Sequence, residues 1–179
     1  MSSRDHNTDY ITSCPLVPDP EMDLKKMPRA FHMALDTAMG LLKGYGINDR
    51  IDASLKDLKG DRECWLAMYV RESQFKGNPV FYVNTKTPGI IDAAVLPQSV
   101  TVEDVFLDSI LHEYGHVIDE WGKFEDPGMR NVIYGPFNRN DEEDFPEYMI
   151  EFFRIRKDKK SARHEAADKA IRMYVEDVF

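Results

Sequence analysis

The stretch that decides the reading is TVEDVFLDSILHEYGHVIDEWG, residues 101–122. Val102, Val105, Phe106 and Ile110 recur at three- and four-residue spacing, which predicts an amphipathic helix. Thr101 followed by Asp104 reads as an N-cap with an acid in the first turn. Gly122 predicts the helix end. Within this helix stand His112, Glu113 and His116, in the order HExxH. Residues four apart share a helix face. Two imidazoles at that spacing can bind one Zn²⁺, and Glu113 between them is placed to take a proton from metal-activated water. Chance supplies HExxH about once in 100 chains with this many histidines and glutamates, before any helix is required. The ordinary alternative is two histidines on a solvated face.

A catalytic zinc uses three protein ligands and keeps one position open, whereas a structural zinc uses four. A third ligand is therefore needed. The extension that puts a third histidine six residues after the second falls here on Gly122, so it is absent. Both cysteines, Cys14 and Cys64, precede the motif. His164 is a weak candidate in a charged helical segment. Carboxylates gather in NDEEDFPEYMIEFFR, residues 140–154, where Glu143, Glu147 and Glu151 follow at four-residue steps. They share one helix face, and spacing alone does not choose among them. Acids also gather at helix N-termini for dipole reasons. Asp119, one turn beyond His116, is placed to orient a ligand histidine, with a plain surface aspartate as the equal alternative.

The rest of the chain supplies the frame. Residues 1–27 carry Pro15, Pro18 and Pro20 without periodicity and read as an irregular arm. From Pro28, the residues Phe31, Ala34, Leu35, Ala38, Leu41 and Leu42 predict a helix that stops at Gly44. Ile51, Ala53 and Leu55 alternate as on a strand, and Cys64–Val70 and Val80–Val83 read as two more. The strand at 80–84 is expected to form a cleft edge able to pair with an extended peptide. Two further helices are predicted at 143–157 and 161–178, the second with Ala162, Ala166, Ala170, Met173 and Tyr174 on its inner side. This order predicts one α+β domain over residues 28–179, with a mixed sheet of three to four strands and a C-terminal helical half.

Composition excludes several classes. With 179 residues, 42% of them hydrophobic, the chain has enough apolar surface for one domain. Its 23 basic and 32 acidic residues leave a net charge of −9, without the basic footprint of a nucleic-acid binder. The longest apolar run, Cys64–Val70, is too short to span a membrane. The N-terminus MSSRDHNTDY has no basic and apolar leader pattern, so a cytoplasmic protein with reduced thiols is expected.

These residues carry a resemblance. HExxH followed by a downstream helical glutamate resembles the gluzincin branch of zinc metallopeptidases. HEYGHVID, the later YG at 134–135 and the ExxxE pair at Glu143 and Glu147 are similar to the catalytic domain of anthrax lethal factor and to the secreted Pro-Pro endopeptidases. EDFPE at 143–147 resembles their EDFAE-type motif. The resemblance spans roughly residues 79–155. It implies a small zincin-like catalytic domain with one Zn²⁺ per chain. His112, His116 and Glu143 would be its ligands, Glu113 the general base, and Tyr134 the donor to the oxyanion. Glu147 would then orient a neighbour. Pro146 departs from the family, which has a small helix former there, and Tyr134 lies farther ahead of the glutamate than usual. Aligning EYMIEFFR with the family pattern EFFAE instead makes Glu147 the ligand and Glu151 its neighbour. Pro146 favours Glu143 on physical grounds. Proline belongs in a first helical turn, so the helix begins near Glu143 or Asp144. Asp144 and Glu147 would then form a capping box, leaving Glu143 at the helix mouth. The expected function is hydrolysis of peptide bonds in a peptide or protein substrate by metal-activated water. The alternative is a catalytically silent zincin-like module that binds or regulates a partner protein. Glu113 argues against it, because a binding module needs no base between its histidines.

Overall fold

The computed structural model describes residues 29–48, 51–56, 59, 67–70, 80–84, 101–125, 128, 132–133, 135–138, 140–155 and 161–179. The expected arm at 1–27, both cysteines and Tyr134 lie outside these. The described elements, in chain order, are α1 (Arg29–Lys43), β1 (Asp52–Lys56), β2 (Ala67–Val70), β3 (Val80–Asn84), α2 (Val102–Glu125), α3 (Asp144–Ile150), a π-helical turn (Glu151–Ile155) and α4 (Ala162–Val178).

Helix α2 is the centre. Its 24 residues begin as the sequence predicts, with a reciprocal cap. The Thr101 backbone N–H donates to Asp104 Oδ2 at 2.8 Å, and the Asp104 N–H donates to Thr101 Oγ1 at 3.1 Å. Two of the N–H groups that lack a partner inside the helix are thereby satisfied. Its second half, from Tyr114 to Gly122, is buried all round. A helix surrounded in this way is a core helix, not a surface one. Gly122 therefore does not end it. Packing on every side carries the helix through Gly122, and it runs on to Glu125.

The other helices pack around it. Helix α1 buries Phe31, Ala34, Leu35, Ala38 and Leu42, the periodic face read from sequence, with Leu41 at its margin. Phe31 meets Phe106 of α2 edge to face, ring centroids 5.3 Å apart. The exit of α1 uses a later glycine than expected. Gly46, at φ 90°, takes the left-handed position, with Ile47 N–H bonded to Leu42 O and Gly46 N–H to Lys43 O. This is the Schellman pairing, and glycine adopts its left-handed residue without steric cost. Helix α4 docks through Ala166, Ala167, Ala170, Ile171 and Tyr174. Ala162 is exposed and Met173 half-buried, so the inner face is rotated from the predicted one. The Tyr174 ring lies against Trp121, and its hydroxyl meets that of Tyr114 at 3.3 Å in a buried contact. Arg154 of the π-helical turn pairs with Asp104 and Asp108, clamping the start of α2.

The expectation of an α+β domain organised on its sheet is overturned, although β1, β2 and β3 do pair as a small mixed sheet. The described residues are predominantly helical and fit an all-helical fold better. The strands are short, and of their residues only Phe81 and Tyr82 have described, buried side chains. Alternation of apolar residues is a local signal, whereas the core here forms where helices bury their faces on one another. The proposed cleft edge is also corrected. β3 runs parallel to β1 and antiparallel to β2, so it is hydrogen-bonded on both sides and offers no free edge to a peptide. Among the described residues no helix is long and apolar enough to cross a membrane.

Candidate metal centre

His112 and His116 project from one side of α2, ring centroids 4.9 Å apart. His112 is half-buried and His116 is buried in the α2–α3 contact. Glu143 comes from elsewhere in the chain, at the N-cap position of α3. Its Oε2 lies 2.9 Å from His112 Nε2 and 3.2 Å from His116 Nε2. The two Nε2 atoms are 3.2 Å apart. Three donor atoms thus form a nearly equilateral triangle, drawn from two helices. Tetrahedral ligand atoms at zinc bond lengths lie about 3.3 Å apart, so the observed spacing fits three corners of such a site. Among the described residues, His112, His116 and Glu143 form a group able to hold a metal ion. Among the described residues, no fourth protein donor joins these three.

Electrostatics tie the three together. Burial disfavours the charged imidazole of His116. The hydrogen bond that His116 donates to Glu143 and the charges of Glu113, Glu143 and Asp119 outweigh it, and the His116 pKa is raised above the ordinary histidine value. Burial likewise disfavours the Glu143 carboxylate, yet the hydrogen bonds from His112 and His116 hold its pKa far below the usual carboxylate range. A carboxylate pinned in its ionised state between two imidazoles is the donor set that divalent metals select.

Of the competing carboxylates, the geometry brings in one. Glu147 and Glu151 are exposed and take no part in the cluster. The expected capping box is replaced by a different arrangement. Glu143 itself occupies the N-cap position without a side-chain cap bond, and the Asp144 carboxylate accepts from Asn138 N–H at 2.8 Å and pairs with Arg163. The Arg163 guanidinium in turn lies over the rings of Phe137 and Tyr148, at 4.6 and 5.1 Å. This tether of the mouth of α3 was not legible in the sequence, because its partners are far apart along the chain. Glu143 N–H also donates to Asp141 Oδ1 at 3.1 Å, which fixes the backbone that carries the Glu143 carboxylate.

The other candidates are placed as follows. Glu113 is half-buried beside the cluster and its charge acts on His116. Asp119 is buried one turn beyond His116 and acts on it through charge, while His116 Nδ1 has no hydrogen-bond partner. Asp119 therefore does not hydrogen-bond His116 Nδ1. His164 stacks on Phe152 at 4.7 Å and stands outside the cluster. No family model, curated protein or solved structure matches the chain. The likeness to gluzincins thus rests on the residues themselves.

Proposed function

We propose that this chain is a zinc-dependent metallopeptidase of the gluzincin type, hydrolysing peptide bonds with Glu113 as general base. The observation that supports it is the convergence of His112 Nε2, His116 Nε2 and Glu143 Oε2 from two separate helices. These three residues would hold the ion. When bound, zinc supplies Lewis acidity and draws the pKa of a coordinated water toward about 7. Glu113 follows His112 on the same helix and lies close enough to influence His116 electrostatically. It accepts the proton of the attacking water and passes it to the leaving nitrogen. Glu143, ionised by its two histidine contacts, contributes a fixed negative charge to the donor set. For the developing oxyanion the sequence offers Tyr134 as hydrogen-bond donor.

A set of three protein ligands with a base between two of them suits catalysis better than a structural role, which takes four ligands. The test is metal analysis of the full chain followed by digestion of a random peptide library, with and without chelator. One zinc per chain and chelator-sensitive cleavage are expected. A chain that binds zinc stoichiometrically but cleaves nothing in the library would be a binding module, and one that binds no metal would end the reading altogether.

A further inference from the structure

Gly115 lies between Glu113 and His116, where α2 receives α3. A methyl group on its Cα would stand 2.6 Å from Pro146 Cα, 3.0 Å from Met149 Cγ and 3.1 Å from Pro146 Cβ. Side-chain carbons do not sit that close to non-bonded backbone, so only glycine lets the two helices meet at this separation. Helical preference does not explain the glycine, because alanine is the better former in a helix interior. Pro146 is in the first turn of α3, and Glu143 stands at that helix's N-cap. The Glu143 carboxylate reaches both imidazoles with α3 at its present distance. A functional constellation must be held within about 0.5 Å of its working geometry. A methyl at Gly115 would drive α3 outward and carry Glu143 with it.

We propose that Gly115 is a positioning residue for the metal centre: its missing side chain sets the α2–α3 separation that brings Glu143 onto His112 and His116. This rests on the metal-centre reading above. Gly40 in α1 gives the control, since a methyl there meets nothing within 4 Å.

The experiment measures zinc affinity of the full chain by competition with a chromophoric chelator, with far-UV circular dichroism on the metal-free forms. Gly115→Ala should fold and bind zinc about 10–100-fold more weakly, as losses of residues that orient ligands do. Gly40→Ala should bind as wild type does. In a Glu143→Ala background, Gly115→Ala should add little further loss, because both changes act through one ligand. Pro146→Val adds a branch on the opposite side of the same contact and carries the same expectation, so the test survives a failure of Gly115→Ala to fold. A folded Gly115→Ala or Pro146→Val that binds zinc as tightly as wild type overturns the positioning role. So do losses from Gly115→Ala and Glu143→Ala that add in full. Wild type without zinc affinity sinks the metal-centre reading instead, and this one with it.

Discussion

The ionised Glu143 lies against His116 Nε2 and raises the His116 pKa, and that coupling makes the first prediction. Metal and proton compete for the same imidazole lone pair. The His116 pKa is raised from the ordinary 6.5, so the competition begins at a higher pH than for a free histidine. Below its pKa, one displaced proton weakens zinc affinity about tenfold per pH unit. Glu143 stays ionised throughout this range and adds no slope. Chelator competition across the neutral range should show the decline, and a flat profile would remove His116 as a ligand. At the third position, Glu143→Ala should weaken zinc binding well beyond the roughly 10–100-fold of an orienting residue and leave the residual affinity of two histidines, whereas the exposed Glu147→Ala should retain it. Retention by Glu143→Ala together with loss by Glu147→Ala would restore the second alignment of this stretch. Glu113→Gln should keep zinc and fold but lose turnover, because the amide accepts no proton. Near-normal peptide hydrolysis by that variant would exclude Glu113 as the base.

At the scale of elements, α2 depends on its first turn. Thr101 satisfies the Asp104 N–H, its own N–H is satisfied in return, and Arg154 draws the same carboxylate into a tertiary pair. The Asp104 pKa is lowered chiefly by its hydrogen bonds with the Thr101 hydroxyl and N–H. Thr101→Ala should therefore cost about 1 kcal/mol, read from the denaturation midpoint at constant slope. No change in midpoint would mean that water replaces the cap fully. Helix starts of this kind are legible because the signal lies within four residues. Pro28 and Thr101 marked the starts of α1 and α2, and Pro146 placed the first turn of α3. Ends were less legible. Gly44 and Gly122 carry the composition of a stop, but Gly46 takes the left-handed turn and Gly122 is held helical by its buried surroundings.

For the whole molecule, the proposed metal binding would be a stability term. The ligands come from α2 and α3, so the complete site exists only when the two are docked. A ligand that binds only the native state at about 100 times its dissociation constant adds about 2.7 kcal/mol. For a chain of this size that is roughly 5–10 °C in Tm. Thermal melts with zinc and with chelator should differ by this order. Coincident melts would mean that no native site for the ion exists. The increment should vanish in Glu143→Ala, which leaves two histidines on one helix.

What the sequence determined by itself is the part of the site that one helix contains. His112, Glu113 and His116 are close because the α-helical repeat makes them so, whatever the rest of the chain does. The faces of α1 and the capped start of α2 follow from the same short-range rules. The third ligand is different in kind. Glu143, Glu147 and Glu151 are equivalent by spacing. Glu143 is singled out because Pro146 packs onto Gly115 and because Arg163 with Asn138 anchors Asp144 beside it. The fold class was decided in the same way. Three apolar runs read as strands, and β1, β2 and β3 do form there, but the buried faces of α1, α2, α3 and α4 meet one another and supply most of the core. Which apolar surfaces find each other depends on docking between distant segments, and no local periodicity encodes it.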